Sequence, residues 1–224
     1  MEQKYIDEIT DYFDKERPLT ECYNNEQIQH MLDVGSSELR ALIAKAMVFE
    51  ENDDFAVSVL SDLASDIDEL VRIEATDSLS MFSNSQSFSV LQAALLDSSE
   101  VVRAYAAFGV ALVGKSILPA QAIQCLLCRA TTEQSKYVLV RVYEGLYILG
   151  EKSYAKQLLD LFQENDYYIK RTVLHALGEI LNEDNLKMIQ SFVFGITSKS
   201  PVAVNEELSR LKTMVREHCY KTRD

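Results

Sequence analysis

The sequence predicts an all-α chain: an α-solenoid of about six stacked helical hairpins, preceded by an N-terminal capping helix. Three observations carry that expectation. Apolar residues recur at helical spacing almost from end to end. Only 7 glycines and 3 prolines occur in 224 residues, too few to supply the tight turns of a β-sandwich or barrel. A short motif returns in every second helix at steps in the thirties, the period of a helical repeat array. With 47% hydrophobic and 25% charged residues the chain can bury a sizeable core, which excludes disorder as its main state.

Residues 1–20 read as the capping helix. Ile6, Ile9 and Phe13 share one face of a helix near 3–15, and Pro18 ends the segment. Residues 21–224 read as the repeat array, a single domain. Its first helices fall near 24–34, 37–50, 54–64, 68–82, 86–96 and 99–113, and the rest near 118–130, 134–149, 153–162, 167–181, 184–194 and 201–218. N-cap candidates are Ser37, Asp54, Asp68, Ser99, Ser153, Asp166, Asp184 and Ser200, the last followed by Pro201 at the first helical position. Gly35, Gly114 and Gly150 fit the C-terminal cap. Connections this short fold consecutive helices back on one another as hairpins.

The motif runs apolar, basic, two free positions, two small or apolar, one free, small, apolar. Val71-Arg72 with Ala75, Thr76, Ser78 and Leu79 fills it. So do Val102-Arg103 with Ala106, Ala107, Gly109 and Val110, and Ile169-Lys170 with Val173, Leu174, Ala176 and Leu177. Weaker copies begin at Leu39-Arg40, Val138-Leu139 and Val204-Asn205. The small residues admit close approach of neighbouring helices, while the large ones fill the space between layers.

This pattern resembles HEAT repeats, in the short form named after phycobilisome lyases, whose second helix runs Val-Arg-x-x-Ala-Ala-x-Ala-Leu-Gly. The resemblance covers nearly the whole chain from about residue 24. It implies an architecture and no particular chemistry. It also implies that the basic residue meets an acid near the preceding turn, for which Asp68, Asp97 or Glu100, and Asp166 are placed.

Charge is distributed unequally. Residues 1–100 carry a net −16 and residues 101–224 a net +3. A potential of that sign repels nucleic acid and anionic membrane surfaces and attracts basic protein; it also serves solubility. No apolar run reaches membrane-spanning length, and Met1 opens onto Glu2, Lys4, Asp7 and Glu8 instead of an export signal. A cytoplasmic chain is expected, with Cys22, Cys125, Cys128 and Cys219 as reduced thiols.

Motifs of catalysis do not survive inspection. Gly109 to Ser116 satisfies the P-loop formula, but a P-loop needs a strand before it and a nest of N–H groups, and these residues suit the interior of a repeat helix. Cys125 and Cys128 lack the second ligand pair of a zinc site and read as small apolar side chains on a packed helix. His30, His175 and His218 form none of the His-Glu dipeptides by which HEAT-like hydroxylases hold iron. No catalytic, cofactor or metal residue is assigned, and the chain is expected to be non-enzymatic.

Outward slots on the second helices define the candidate surface. Projection of the motif places Glu74, Asp77, Tyr105, Phe108, Leu112, Arg141, Glu144, His175 and Glu179 there as partner-binding residues, with Lys45, Met81 and Tyr147. Aromatic anchors rimmed by charge suit a protein-binding groove. The expectation is a protein-binding scaffold whose concave face engages a basic protein partner, as an inhibitor, immunity-like or adaptor protein. The family resemblance implies an alternative, a phycobilin-lyase-like enzyme or chaperone that handles a chromophore. A nucleic-acid-modifying HEAT-like protein would need a basic groove, which the charge opposes.

Overall fold

A computed structural model describes residues 2–196 and 201–221. The described residues form thirteen α-helices and no strand. They divide into two compact units, 1–125 and 126–224.

Unit one holds α1 (Glu2–Asp14), α2 (Asn25–Val34), α3 (Ser37–Ala46), α4 (Asp53–Leu63), α5 (Glu69–Leu79), α6 (Ser85–Ala94) and α7 (Glu100–Ile117). The second helices of its hairpins, α3, α5 and α7, stack in a row, and α1 packs on α3 at the start of that row. Helices α2, α4 and α6 back them as hairpin partners. The motif explains the packing: Leu39, Val71 and Val102, its leading apolar positions, are buried, as are Ala75, Ala106, Ala107 and Val110.

Helix α8 (Pro119–Thr132) crosses the division between the units. Unit two continues with α9 (Lys136–Ile148), α10 (Tyr154–Leu161), α11 (Tyr167–Glu179), α12 (Leu186–Gly195) and α13 (Val202–Lys221). Here α9, α11 and α13 form the row, α10 packs against α9 and α11, and α12 against α13. The weak copies of the motif keep its leading residue buried, at Val138 and Val204. Leu158, Val173, Leu177, Ile189 and Leu211 fill the core, and Phe162 meets Phe192 edge-to-face at 5.1 Å.

The helix ends show where local chemistry overruled the sequence reading. Asp68, Ser99 and Asp166 cap α5, α7 and α11 as expected. The caps of α3 and α4 are Ser36 and Asn52, not Ser37 and Asp54, because each cap is the extended residue just before the first helical one. Asn24, with a reciprocal bond to Gln27, caps α2, Asn84 caps α6 and Ser135 caps α9. Ser153 and Asn185 occupy cap positions without a side-chain cap bond; Asp184, expected there, instead faces Lys152 at 3.3 Å. Ser200 lies outside the described residues.

Gly150 ends α9 with φ +105°, a conformation glycine adopts without penalty. The Glu151 N–H then bonds to the Leu146 carbonyl and the Gly150 N–H to that of Tyr147. Gly114 is not a cap: α7 runs through it to Ile117, and its missing side chain makes room for Phe88 and Ala122. The region expected as one helix over 37–50 breaks into α3 and a 3-10 turn, Met47–Phe49. Glu50 follows, 5% exposed, and its carboxylate accepts the N–H groups of Leu19 (2.6 Å) and Thr20 (3.2 Å) and the Thr20 hydroxyl (2.6 Å).

Candidate functional site

The basic position of the motif makes a clasp. Arg40 bonds the Asp66 carboxylate through Nε (2.7 Å) and Nη2 (2.9 Å), while its Nη1 reaches the Gly35 carbonyl. Arg72 repeats this one hairpin later, bonding both oxygens of Asp97 (2.8 and 3.1 Å) and the carbonyls of Asp66 and Ile67. Each arginine thus takes the carbonyls of its own preceding turn and the acid of the following one, not the acid expected from its own turn. Asp68 and Asp166 are used as caps instead. Asp66 and Asp97 also accept a backbone N–H two residues on, as does Glu133 in unit two.

The outward slots of unit one lie on α5 and α7. Asp77 and Met81 are exposed; Glu74, Tyr105, Phe108 and Leu112 are half-buried. Burial pushes the Glu74 carboxyl up from its ordinary value, against the pull of exposed Lys45 on α3. The two aromatic side chains, Tyr105 and Phe108, thus stand only partly clear of the row, with the acids Glu74 and Asp77 on the neighbouring helix.

In unit two the slots gather into a charged network on α9, α11 and α13. Arg210 donates from Nε to Glu207 (2.8 Å) and from Nη2 to the Nδ1 of His175 (3.1 Å), and lies 3.7 Å from Glu179. His175 is 4.0 Å from Glu179 and 3.6 Å from Glu207. Burial, joined by Arg141 and Arg210, holds the imidazole below its ordinary value against those two carboxylates. In its neutral form the ring can accept the Arg210 bond at Nδ1. Glu207 and Arg210 were missed by the projection. They sit three and six residues past Val204, the spacing of Glu74 and Asp77 past Val71, so carrying the slots into the last copy finds them.

Glu144 differs from the other slots. It is fully buried, bonded to Arg141 at 2.7 Å, and its Oε1 has no hydrogen-bond partner. It supports the network from beneath and is closed to a partner. Tyr147 is also buried, its hydroxyl accepting from Asn185 at 2.8 Å.

Burial raises the Glu144 carboxyl above its ordinary 4.5, against Arg141. A raised folded-state value means that the favourable contribution is complete below pH 4.5 and drains away as pH climbs through the folded value. Glu144→Gln is expected to gain about 1–3 kcal/mol on the wild type between pH 4 and pH 8. Urea titrations at the two pH values check this; a difference that does not move with pH contradicts it.

The P-loop-like residues 109–116 lie within α7, where the helix consumes their N–H groups. Cys125 is half-buried but Cys128 is exposed, so only the first fits the packed position expected of both. Among the described residues no three His, Cys, Asp or Glu side chains are placed to hold a metal ion, and no helix is long and apolar enough to cross a membrane.

A family comparison agrees with the stacked hairpins of unit one. The HEAT-repeat family matches residues 26–111, from α2 into α7, and this stretch is a run of HEAT repeats. No curated protein matches the chain. Among solved structures, an engineered protein is similar at 17% identity and a TM-score of 0.48, over 88% of this chain and 98% of that one. The complex of CpcE and CpcF of phycocyanin lyase from Nostoc sp. PCC7120 is similar at 16% and 0.47, over 86% and 95%. A designed armadillo repeat protein is similar at 15% and 0.45, over 84% and 98%.

Proposed function

We propose that the protein is a non-enzymatic cytoplasmic scaffold that holds a basic protein partner against the outward slots of its stacked second helices, as an inhibitor or adaptor does. The carrying observation is charge. Residues 1–125 hold 22 Asp and Glu against 8 Lys and Arg, whereas residues 126–224 hold 13 against 14. Asp66 and Asp97 are neutralised by the clasps, yet Asp77, Glu51, Asp53 and Asp54 among others remain exposed. A field of that sign raises the encounter rate with cationic surfaces and slows it with anionic ones. Glu74, Asp77, Tyr105, Phe108 and Leu112 offer the contact in unit one, and Arg141, His175, Glu179, Glu207 and Arg210 in unit two.

The test is affinity capture from native lysate with the purified chain, followed by association kinetics on each captured protein. A basic protein is expected, with its association rate falling about tenfold between low and physiological salt. Glu74→Lys with Asp77→Lys is expected to abolish capture. Recovery of only nucleic acid or a metabolite, or a rate indifferent to salt, defeats the reading.

A further inference from the structure

Unit one carries an exposed aliphatic side chain at each of three successive turns. Val34 ends α2 at 67% exposure, Ile67 stands in the turn between α4 and α5 at 95%, and Leu96 in the turn between α6 and α7 at 78%. Each lies where the first helix of a hairpin gives way to the second, but not at one register: Arg103 bonds the Ser98 carbonyl as Arg72 bonds that of Ile67, so Leu96 stands two residues before the counterpart of Ile67. The clasps bond each of these turns to the next. Arg40 joins the Gly35 carbonyl, next to Val34, to the Asp66 carboxylate, next to Ile67. Arg72 joins the carbonyl of Ile67 itself to the carboxylate of Asp97, next to Leu96. Between the last two turns opens a cavity of about 420 Å³, lined by Ala64, Val90, Ala93 and Leu96 with Asp66 and Arg72 at its polar side.

Charge along this edge is of one sign. Residues 33–38, 62–70 and 96–100 contain no Lys or Arg, and Asp33, Glu38, Asp62 and Glu69 are exposed there. The nearest bases are engaged with the turns themselves: Arg40 and Arg72 in the clasps, and Arg103 with the carbonyls of Asp97 and Ser98. Aliphatic side chains this exposed are costly to leave in water when they adjoin one another, and an acidic surround selects against anionic or purely apolar occupants.

We propose that this edge docks an amphipathic, lysine- and arginine-rich helix of a partner protein, which lays one aliphatic side chain against each turn. Stacked helices lie about 8–10 Å apart. Seven residues of α-helix rise about 10.5 Å. A helix with an aliphatic residue at every seventh position therefore matches successive turns, and basic residues between them face the acids. The edge is separate from the outward slots of α5 and α7, so the two sites fail independently.

The experiment uses two synthetic lysine–alanine peptides of about 21 residues, long enough to hold helix. They have identical composition, one with leucine at every seventh position and one with the leucines redistributed. Fluorescence anisotropy with the full chain is expected to show about tenfold tighter binding of the regular peptide, or 1.4 kcal/mol. Ile67→Ser with Leu96→Ser is expected to erase the difference while leaving the circular dichroism unchanged, since neither side chain is in the core. Glu74→Gln with Asp77→Asn is expected to preserve it. Equal affinity for the two peptides, or a preference that survives the Ile67/Leu96 double variant, overturns the proposal.

Discussion

Gly114→Val is expected to destabilise unit one by about 3 kcal/mol, the upper range for forcing extra methylenes into a close-packed core. A Cβ at this position would overlap that of Ala122 and approach the Phe88 ring to 2.9 Å, and neither neighbour has anywhere to go. Phe88 is 1% exposed and Ala122 wholly buried. The gain in helix propensity from replacing a mid-helix glycine is under about 1 kcal/mol for a β-branched residue and does not offset the overlap. Lys115→Val, one residue on and exposed, is the control and is expected to stay within about 0.5 kcal/mol of wild type. Equal denaturation midpoints for the two variants would show that α7 is not pressed against α6 as described.

Arg72→Leu ranks next, at a loss of about 2–4 kcal/mol. The substitution strips the Asp97 carboxylate of both its guanidinium bonds and leaves two turn carbonyls short of a donor, at a site where both side chains are less than 15% exposed. The effect has a pH signature. Burial acts to raise the Asp97 carboxyl, but the Arg72 bonds and the Ser99 N–H outweigh it and hold the group below its ordinary 3.8. The Arg40 bonds do the same for Asp66 against burial. A depressed folded-state value contributes stability that is complete above pH 3.8 and is lost as pH falls through the folded value. Wild-type stability is therefore expected to drop below about pH 4, and the Arg72→Leu variant to drop less, because its Asp97 share is already missing. Parallel pH profiles would contradict the clasp.

The sequence announced the repeat because burial leaves a trace in residue size. Leu39, Val71, Val102, Val138, Ile169 and Val204 are all buried at the same motif position, even where the basic residue beside them has become Leu139 or Asn205. Exposure was harder to read. Glu144 and Asp77 occupy the same slot, yet one is sealed and the other open, since a helical slot fixes direction and not the depth of what packs over it. The clasps escaped for a related reason. A side chain as long as arginine reaches past its own turn, so its partner is set by the stacking of hairpins, which no local spacing encodes. Caps erred by one or two residues because Ser36 and Ser37 are chemically alike, and only backbone conformation separates them.

The hold of Glu50 on Leu19 and Thr20 bears on how one face of the row is covered. A stack of like hairpins invites a further layer at each open face, and one supplied by another molecule would begin a filament. Here α1 covers the face of α3, and the turn that follows α1 is leashed to that layer through a buried carboxylate. Glu50→Ala is the change that would loosen that cover and open the α3 face to a neighbouring molecule.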